Sequence, residues 1–257
     1  MPVDKASLAA LDAHAVRSEA REESSRRASS PASARRGLRR FLFENGLSIA
    51  LFALFLGSFV GQVGTGLRVH NDELVAHGQG ALSLGAYLSS GHFIEATFEN
   101  WESEFLQMAL FVLLTVKLRQ KGSSESKKLD EHEDVDDDPA EKKDDPRAPW
   151  PVRRGGLWLR IYQHSLTIAL LTLFVACFVL HGLGGFRAEN AQNAAEGLPL
   201  VTCGEFFASS QFWFQSFQNW QSEFVSVLAV VLLSVVLRQR GSSQSKPVAA
   251  PHAQTGD

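Results

Sequence analysis

Two cysteines among 257 residues are too few for a disulfide framework, so the chain is not a secreted mini-protein held by bridges. It also lacks an excess of either charge. The 25 lysines and arginines against 28 aspartates and glutamates leave a formal net charge of -3, which excludes the basic surface of a nucleic-acid binder. Signatures of catalysis are missing too: there is no Gly-rich phosphate loop, Ser/His/Asp arrangement, thiolate motif, HExxH or paired ExxH. No enzyme, and no cofactor or metal, is expected from these residues.

What the chain does have is apolar residues gathered into runs. A mean hydropathy of -0.06 averages strongly polar stretches with four apolar ones. The first run is Leu47 to Val63, extended at its start by Phe41, Leu42 and Phe43. The second, Phe105 to Leu118, is short, but Trp101 lies one turn ahead of it, and Lys117 and Arg119 can snorkel. The third is Leu166 to Leu183 and the fourth Phe224 to Leu237. These runs predict an all-α membrane protein with four transmembrane helices and the lipid bilayer as its first partner. Residues 1–40 read as a disordered basic arm, too long and polar for a secretory signal peptide. Residues 122–157 read as an acidic linker containing DEHEDVDDDPAEKKDDP, and 241–257 as a disordered tail.

The two membrane segments, 41–121 and 158–240, are copies of one unit. Residues 43–127 align with 162–246 without a gap, and roughly 34 of about 85 pairs are identical. Hydrophobicity alone cannot repeat NWESEF as NWQSEF, or LRQKGSSESK as LRQRGSSQSK. The basic residues near the span ends, among them Arg39, Arg40, Lys117, Arg119, Arg153, Arg154, Arg238 and Arg240, fall on one side, whereas the opposite connections hold only Arg68 and Arg187. Both termini are therefore expected in the cytoplasm, and the copies form two tandem parallel hairpins in the cytoplasmic membrane. Each outer connection, about Arg68 to Asn100 and Arg187 to Asn219, carries the signal of a short interfacial helix: Thr202 with Glu205 as a capping box, and Ser83 before Ala86, Tyr87 and Leu88. Phe93, Phe98, Trp101, Phe212, Trp213, Phe214, Phe217 and Trp220 are expected as an aromatic belt at the headgroups.

The most informative polar set is Asn100, Ser103 and Glu104, repeated as Asn219, Ser222 and Glu223, because spacings of three and four share a helix face. A carboxylate at the start of an apolar span needs a partner, and the outer arginines suggest ion pairs Arg68 to Glu104 and Arg187 to Glu223. His70, His77 and His92 share the first outer connection with Asp72, Glu73, Glu95 and Glu99, which raises a metal site, and with it a membrane enzyme using that connection, as a further reading; but the second copy has Gln211, Phe214 and Gln218 for His92, Glu95 and Glu99, so solvated loop histidines are the expectation. His181 reads as an interfacial polar cap. Gly57 and Gly61 permit a close helix crossing, and Cys177 and Cys203 read as unpaired.

At FENGLSIAL, GHFIEATFENWESEFLQMALFVLLTVKLRQKGSSESK, PWPVRRGG and FQNWQSEF the chain resembles a family of uncharacterised bacterial membrane proteins, catalogued as a domain of unknown function, over about residues 38 to 250. That resemblance implies a polytopic membrane protein and brings no catalytic residue with it. The expected function is a non-enzymatic structural or interaction module with a natural tendency to self-associate and no named protein partner. The alternative is a small oligomeric ion channel or transporter whose path is lined by the Asn-Ser-Glu faces.

Overall fold

The computed structural model describes residues 31–256, with side chains from residue 37 onward. The arm expected over residues 1–40 thus lies outside the described residues up to residue 30. The described residues divide into two compact units, one up to residue 65 and one from residue 66 onward.

The first unit holds α1, Pro31–Glu44, and the beginning of α2, Gly46–Ala76. Helix from Pro31 onward shortens the expected arm; Ala, Arg and Leu in this stretch are good helix formers. Asn45, between the two helices, donates its Nδ2 to Phe41 O at 2.9 Å. A Cβ placed on Gly57 or Gly61 would meet nothing within 4 Å, so within this unit no described residue packs on the GxxxG.

The second unit contains the C-terminal part of α2, then α3 (Leu84–Leu88), α4 (Gly91–Lys117), α5 (Trp150–Arg154), α6 (Gly156–Gln163), α7 (Ser165–Glu196), α8 (Cys203–Phe207) and α9 (Ser210–Val236). No strand occurs among the described residues. Side-chain caps start the helices where the sequence supplies them. Ser83, Ser90 and Ser209 each accept from the backbone N–H three residues on, and Thr202 and Glu205 complete a reciprocal capping box. α7 ends on Gly197 at φ 71°, a left-handed position that favours glycine.

Both outgoing helices continue well past the points where the outer connections were expected to begin. α2 runs eight residues beyond Arg68 and α7 nine beyond Arg187. Hydropathy falls where lipid ends, but the backbone ladder can continue into water while its carbonyls and N–H groups stay paired. Asn71 then pins the following loop with two bonds to one residue, accepting from Leu82 N at 2.7 Å and donating to Leu82 O at 3.0 Å. Asn190 does the same to Val201, at 2.8 and 3.0 Å.

α4 packs most extensively on α7, with α9 against α4. Glycines permit that approach: a Cβ on Gly91 would stand 2.5 Å from Ala188 N and 2.6 Å from Gly184 O, both backbone atoms. A Cβ on Gly184 would in turn collide with Glu95 N. Gly185 leaves room for the Phe206 ring.

α2, α7 and α9 are long and apolar enough to cross a membrane, which fits a multi-pass membrane protein. α4 is not in that set, because Glu102, Glu104 and Lys117 interrupt its apolar half.

At the other ends of these helices the linker and the tail are more ordered than their charge suggests. LRQKGSSESK and LRQRGSSQSK fold into the same turn, with Gly122 and Gly241 at φ 85° and 82°. Gln120 N donates to Ser126 Oγ at 3.0 Å, and Gln239 N to Ser245 Oγ at 2.9 Å. Residues 241–256, read as a disordered tail, come back to the linker: Gly122 N donates to Thr255 Oγ1 at 2.8 Å, and Gly256 N to Ser123 O at 3.0 Å. The buried Lys246 ammonium donates to the carbonyls of His252 and Gln254, so its charge is met by backbone carbonyls. Within the acidic linker Lys127 pairs with Asp136, and Lys128 with Glu131 at 2.9 Å.

Candidate functional site

Glu95, Glu99 and Glu102 are spaced by four and three residues on α4, so they form one file along a helix face. That face meets α9 and α7. Gln215 Nε2 donates to Glu95 Oε1 at 2.9 Å, and Asn219 Nδ2 to Glu99 Oε1 at 2.6 Å. Deeper still, Glu102 takes Trp220 Nε1 on Oε1 at 3.2 Å and has His181 Nδ1 3.0 Å from Oε2. Glu102 and His181 are both wholly buried, and at 1.5 Å per residue Glu102 lies roughly 16 Å along α4 from Gly91. A buried carboxylate is tolerated only when its lone pairs are met, and here two other helices meet them. The contact fixes the imidazole with Nδ1 toward the carboxylate and leaves Nε2 buried without a hydrogen-bond partner.

His181 is therefore the centre of an interhelical contact, not the interfacial cap expected of it. The aromatic belt is revised in the same region. Phe212 is completely buried, its ring 5.0 Å from that of His181, and Phe93 is buried against Tyr87. Trp220 faces Glu102, while Phe214 and Phe217 remain exposed as belt residues would be.

The residues singled out from the sequence are divided between faces. Ser103 is buried and donates to Asn100 O; Asn100 is exposed and donates to Ala96 O. Asn219 turns to Glu99, and Ser222 is exposed with its hydroxyl on Asn219 O. Arg68, Glu104 and Arg187 are exposed, and among the described residues neither arginine stands within 4.0 Å of either expected carboxylate. Glu223 is half-buried. Cys177 and Cys203 are free, the first buried and the second exposed.

Above the carboxylate file is a cavity of about 930 Å³ whose walls include Glu95, Gln215, Glu189, His70, Glu73 and His92. His70 and Glu73 sit one turn apart on α2, and His92 is the second residue of α4. Their nitrogen and carboxylate ligand atoms all lie within 4.8 Å of one another, which is the one such group among the described residues. The two imidazoles stack with centroids 4.5 Å apart, beside the Tyr87 ring. Both Nδ1 atoms are buried without a hydrogen-bond partner, an omission that costs about 1–3 kcal/mol for a typical polar group. The outer histidines were expected in a solvated loop; two of them are instead drawn together by helix. The spacing of His70 and Glu73 on one helix face was the available signal, and it goes unread if the helix is ended at Arg68.

No curated protein and no solved structure matches the chain. The family model for DUF6766, a domain of unknown function, matches residues 38–257, and the chain belongs to that family.

Proposed function

We propose that the chain is a non-enzymatic integral-membrane module of four transmembrane helices, built as two tandem parallel hairpins in the bacterial cytoplasmic membrane with both termini cytoplasmic. One observation carries the reading. Glu102, wholly buried on α4, accepts from Trp220 on α9 and stands against His181 on α7, so the second hairpin clamps the returning helix of the first. Satisfied carboxylates between helices hold a scaffold together and need no substrate to account for them.

The duplication has support in the element bounds: α2, α3 and α4 start at residues 46, 84 and 91, and α7, α8 and α9 start 119 residues later, at 165, 203 and 210. The Asn71 and Asn190 pins and the two GSS turns recur at the same offset. α4 serves as the fourth span in this reading, with Glu95, Glu99 and Glu102 turned to protein and its apolar residues to lipid. Basic residues at the ends of α4 and α9 support the cytoplasmic assignment of those ends. A homo-oligomer is the natural assembly for a duplicated hairpin.

A second reading is a small oligomeric ion channel or transporter. It is favoured by the carboxylate file leading from the cavity, at Glu95, to the buried Glu102. Ion and proton flux through the purified protein in liposomes separates the two. A scaffold gives no flux above empty liposomes for any tested ion. Flux abolished by Glu104→Gln with Glu223→Gln, or by Glu102→Gln in a folded protein, replaces the scaffold with a conduction path.

A further inference from the structure

We propose that His70, Glu73 and His92 form a binding site for one divalent transition-metal cation of the zinc class, at the outer end of α2 and α4 and open to the adjoining cavity. The donor set selects the class of ion. Two imidazole nitrogens and one carboxylate suit zinc and its neighbours, whereas calcium and magnesium require shells made largely of oxygen.

The geometry is nearly assembled. His70 Nδ1 is 3.7 Å from Glu73 Oε2, and all three ligand atoms fall within 4.8 Å of one another. Tetrahedral zinc with bonds of about 2.0–2.1 Å holds its ligands about 3.4 Å apart, so closure needs a contraction on the order of 1 Å, within reach of side-chain rotation. The backbone beneath is tied in place. Asn71, next to His70, is tied to Leu82, and the Tyr87 hydroxyl fits against Gly66, where a Cβ would collide with it. α3 therefore holds α2 and the start of α4 in register.

Two observations point to an ion and not to a packed histidine pair. Both Nδ1 atoms are buried with no hydrogen-bond partner, although Ser90 and Gln211, which carry suitable groups, line the same cavity. One nitrogen of each ring also lies within 4.8 Å of the other's and of a Glu73 carboxylate oxygen, three donors gathered from two helices. Three protein ligands leave the fourth position to water or to an anionic group entering the cavity, the arrangement of an open zinc site. The positions 119 residues further on, Glu189, Gln192 and Gln211, line the same cavity but offer a single strong ligand, so one ion per chain is expected.

The test is titration of the purified full-length chain, stripped with chelator and held in detergent micelles, with Zn²⁺ alone, read by calorimetry and by metal content after desalting. The expected result is one equivalent per chain, with affinity lowered about 100-fold or more in His70→Gln and His92→Gln, since each removes a direct ligand. His132→Ala, in the acidic linker, serves as the control for adventitious binding and leaves the stoichiometry unchanged. Co²⁺ added to the unaltered chain gives the intense visible absorption of a four-coordinate site, lost on adding Zn²⁺; this readout stands even if a variant fails to fold. The proposal is overturned by the absence of a retained equivalent of zinc, by binding that persists in the double histidine variant, or by a cobalt spectrum of the weak six-coordinate kind alone.

Discussion

His181 Nδ1 stands 3.0 Å from Glu102 Oε2, with neither side chain exposed to solvent and the two residues 79 positions apart in the chain. Removing one partner should cost far more than removing both. Glu102→Ala leaves the imidazole and the Trp220 N–H without an acceptor, and loss of one member of a buried pair is worth about 3–5 kcal/mol. The double variant Glu102→Leu with His181→Leu replaces the pair by apolar volume and should recover most of that loss. Thermal unfolding in detergent, arranged as a double-mutant cycle, measures the coupling. Equal and additive losses from the two single variants would dissolve the clamp.

Such a contact could not be read from the sequence, and the reason is geometric. Glu95, Glu99 and Glu102 share one helix face, and Asn100, Ser103 and Glu104 fit a helical spacing equally well, so periodicity alone does not choose between them. The choice is made by Gln215, Asn219, Trp220 and His181, all more than 75 residues away, and pairing over that distance leaves no mark in a local pattern. Local signals were legible: Ser83 and the Thr202 and Glu205 pair start α3 and α8 where their capping chemistry puts them. The apolar runs likewise located α2, α7 and α9. Hydropathy reported where lipid ends, however, and not where a helix ends, which is why His70 and Glu73 were assigned to a loop although both lie on α2.

The α4–α7 crossing gives a steric prediction. A Cβ on Gly91 has backbone atoms of Ala188 and Gly184 within 2.6 Å, and backbone cannot rotate away. Gly91→Ala and Gly184→Ala should each lower stability by about 1–3 kcal/mol or more, the range for forcing a methyl into packed structure. Gly204→Ala is the matched control, because nothing lies within 4 Å of a Cβ there. Thermal unfolding of the three variants checks the order; a Gly204 variant as damaged as the other two would remove the crossing as the cause.

The last prediction concerns pH at the α8 cap. Glu205 accepts from the backbone N–H and the hydroxyl of Thr202, both at 2.7 Å, and these bonds, the backbone one foremost, hold its carboxyl below the usual range. A carboxyl whose folded pKa lies below its unfolded value binds fewer protons in the folded state. Its contribution is therefore complete above the unfolded value of about 4.3 and is lost as pH falls through the folded value. Hydrogen exchange at Glu205 and Phe206, measured from pH 6 downward and corrected for intrinsic rates, should show α8 losing protection in that acidic window. Glu205→Gln, which keeps the shape but has no carboxylate to protonate, should make protection weaker at pH 6 and flat across the window. Thr202→Ala removes the other half of the box and should weaken α8 at every pH, by about 1 kcal/mol for a lost N-cap. A pH dependence that survives in Glu205→Gln would place the titrating group elsewhere than in the cap.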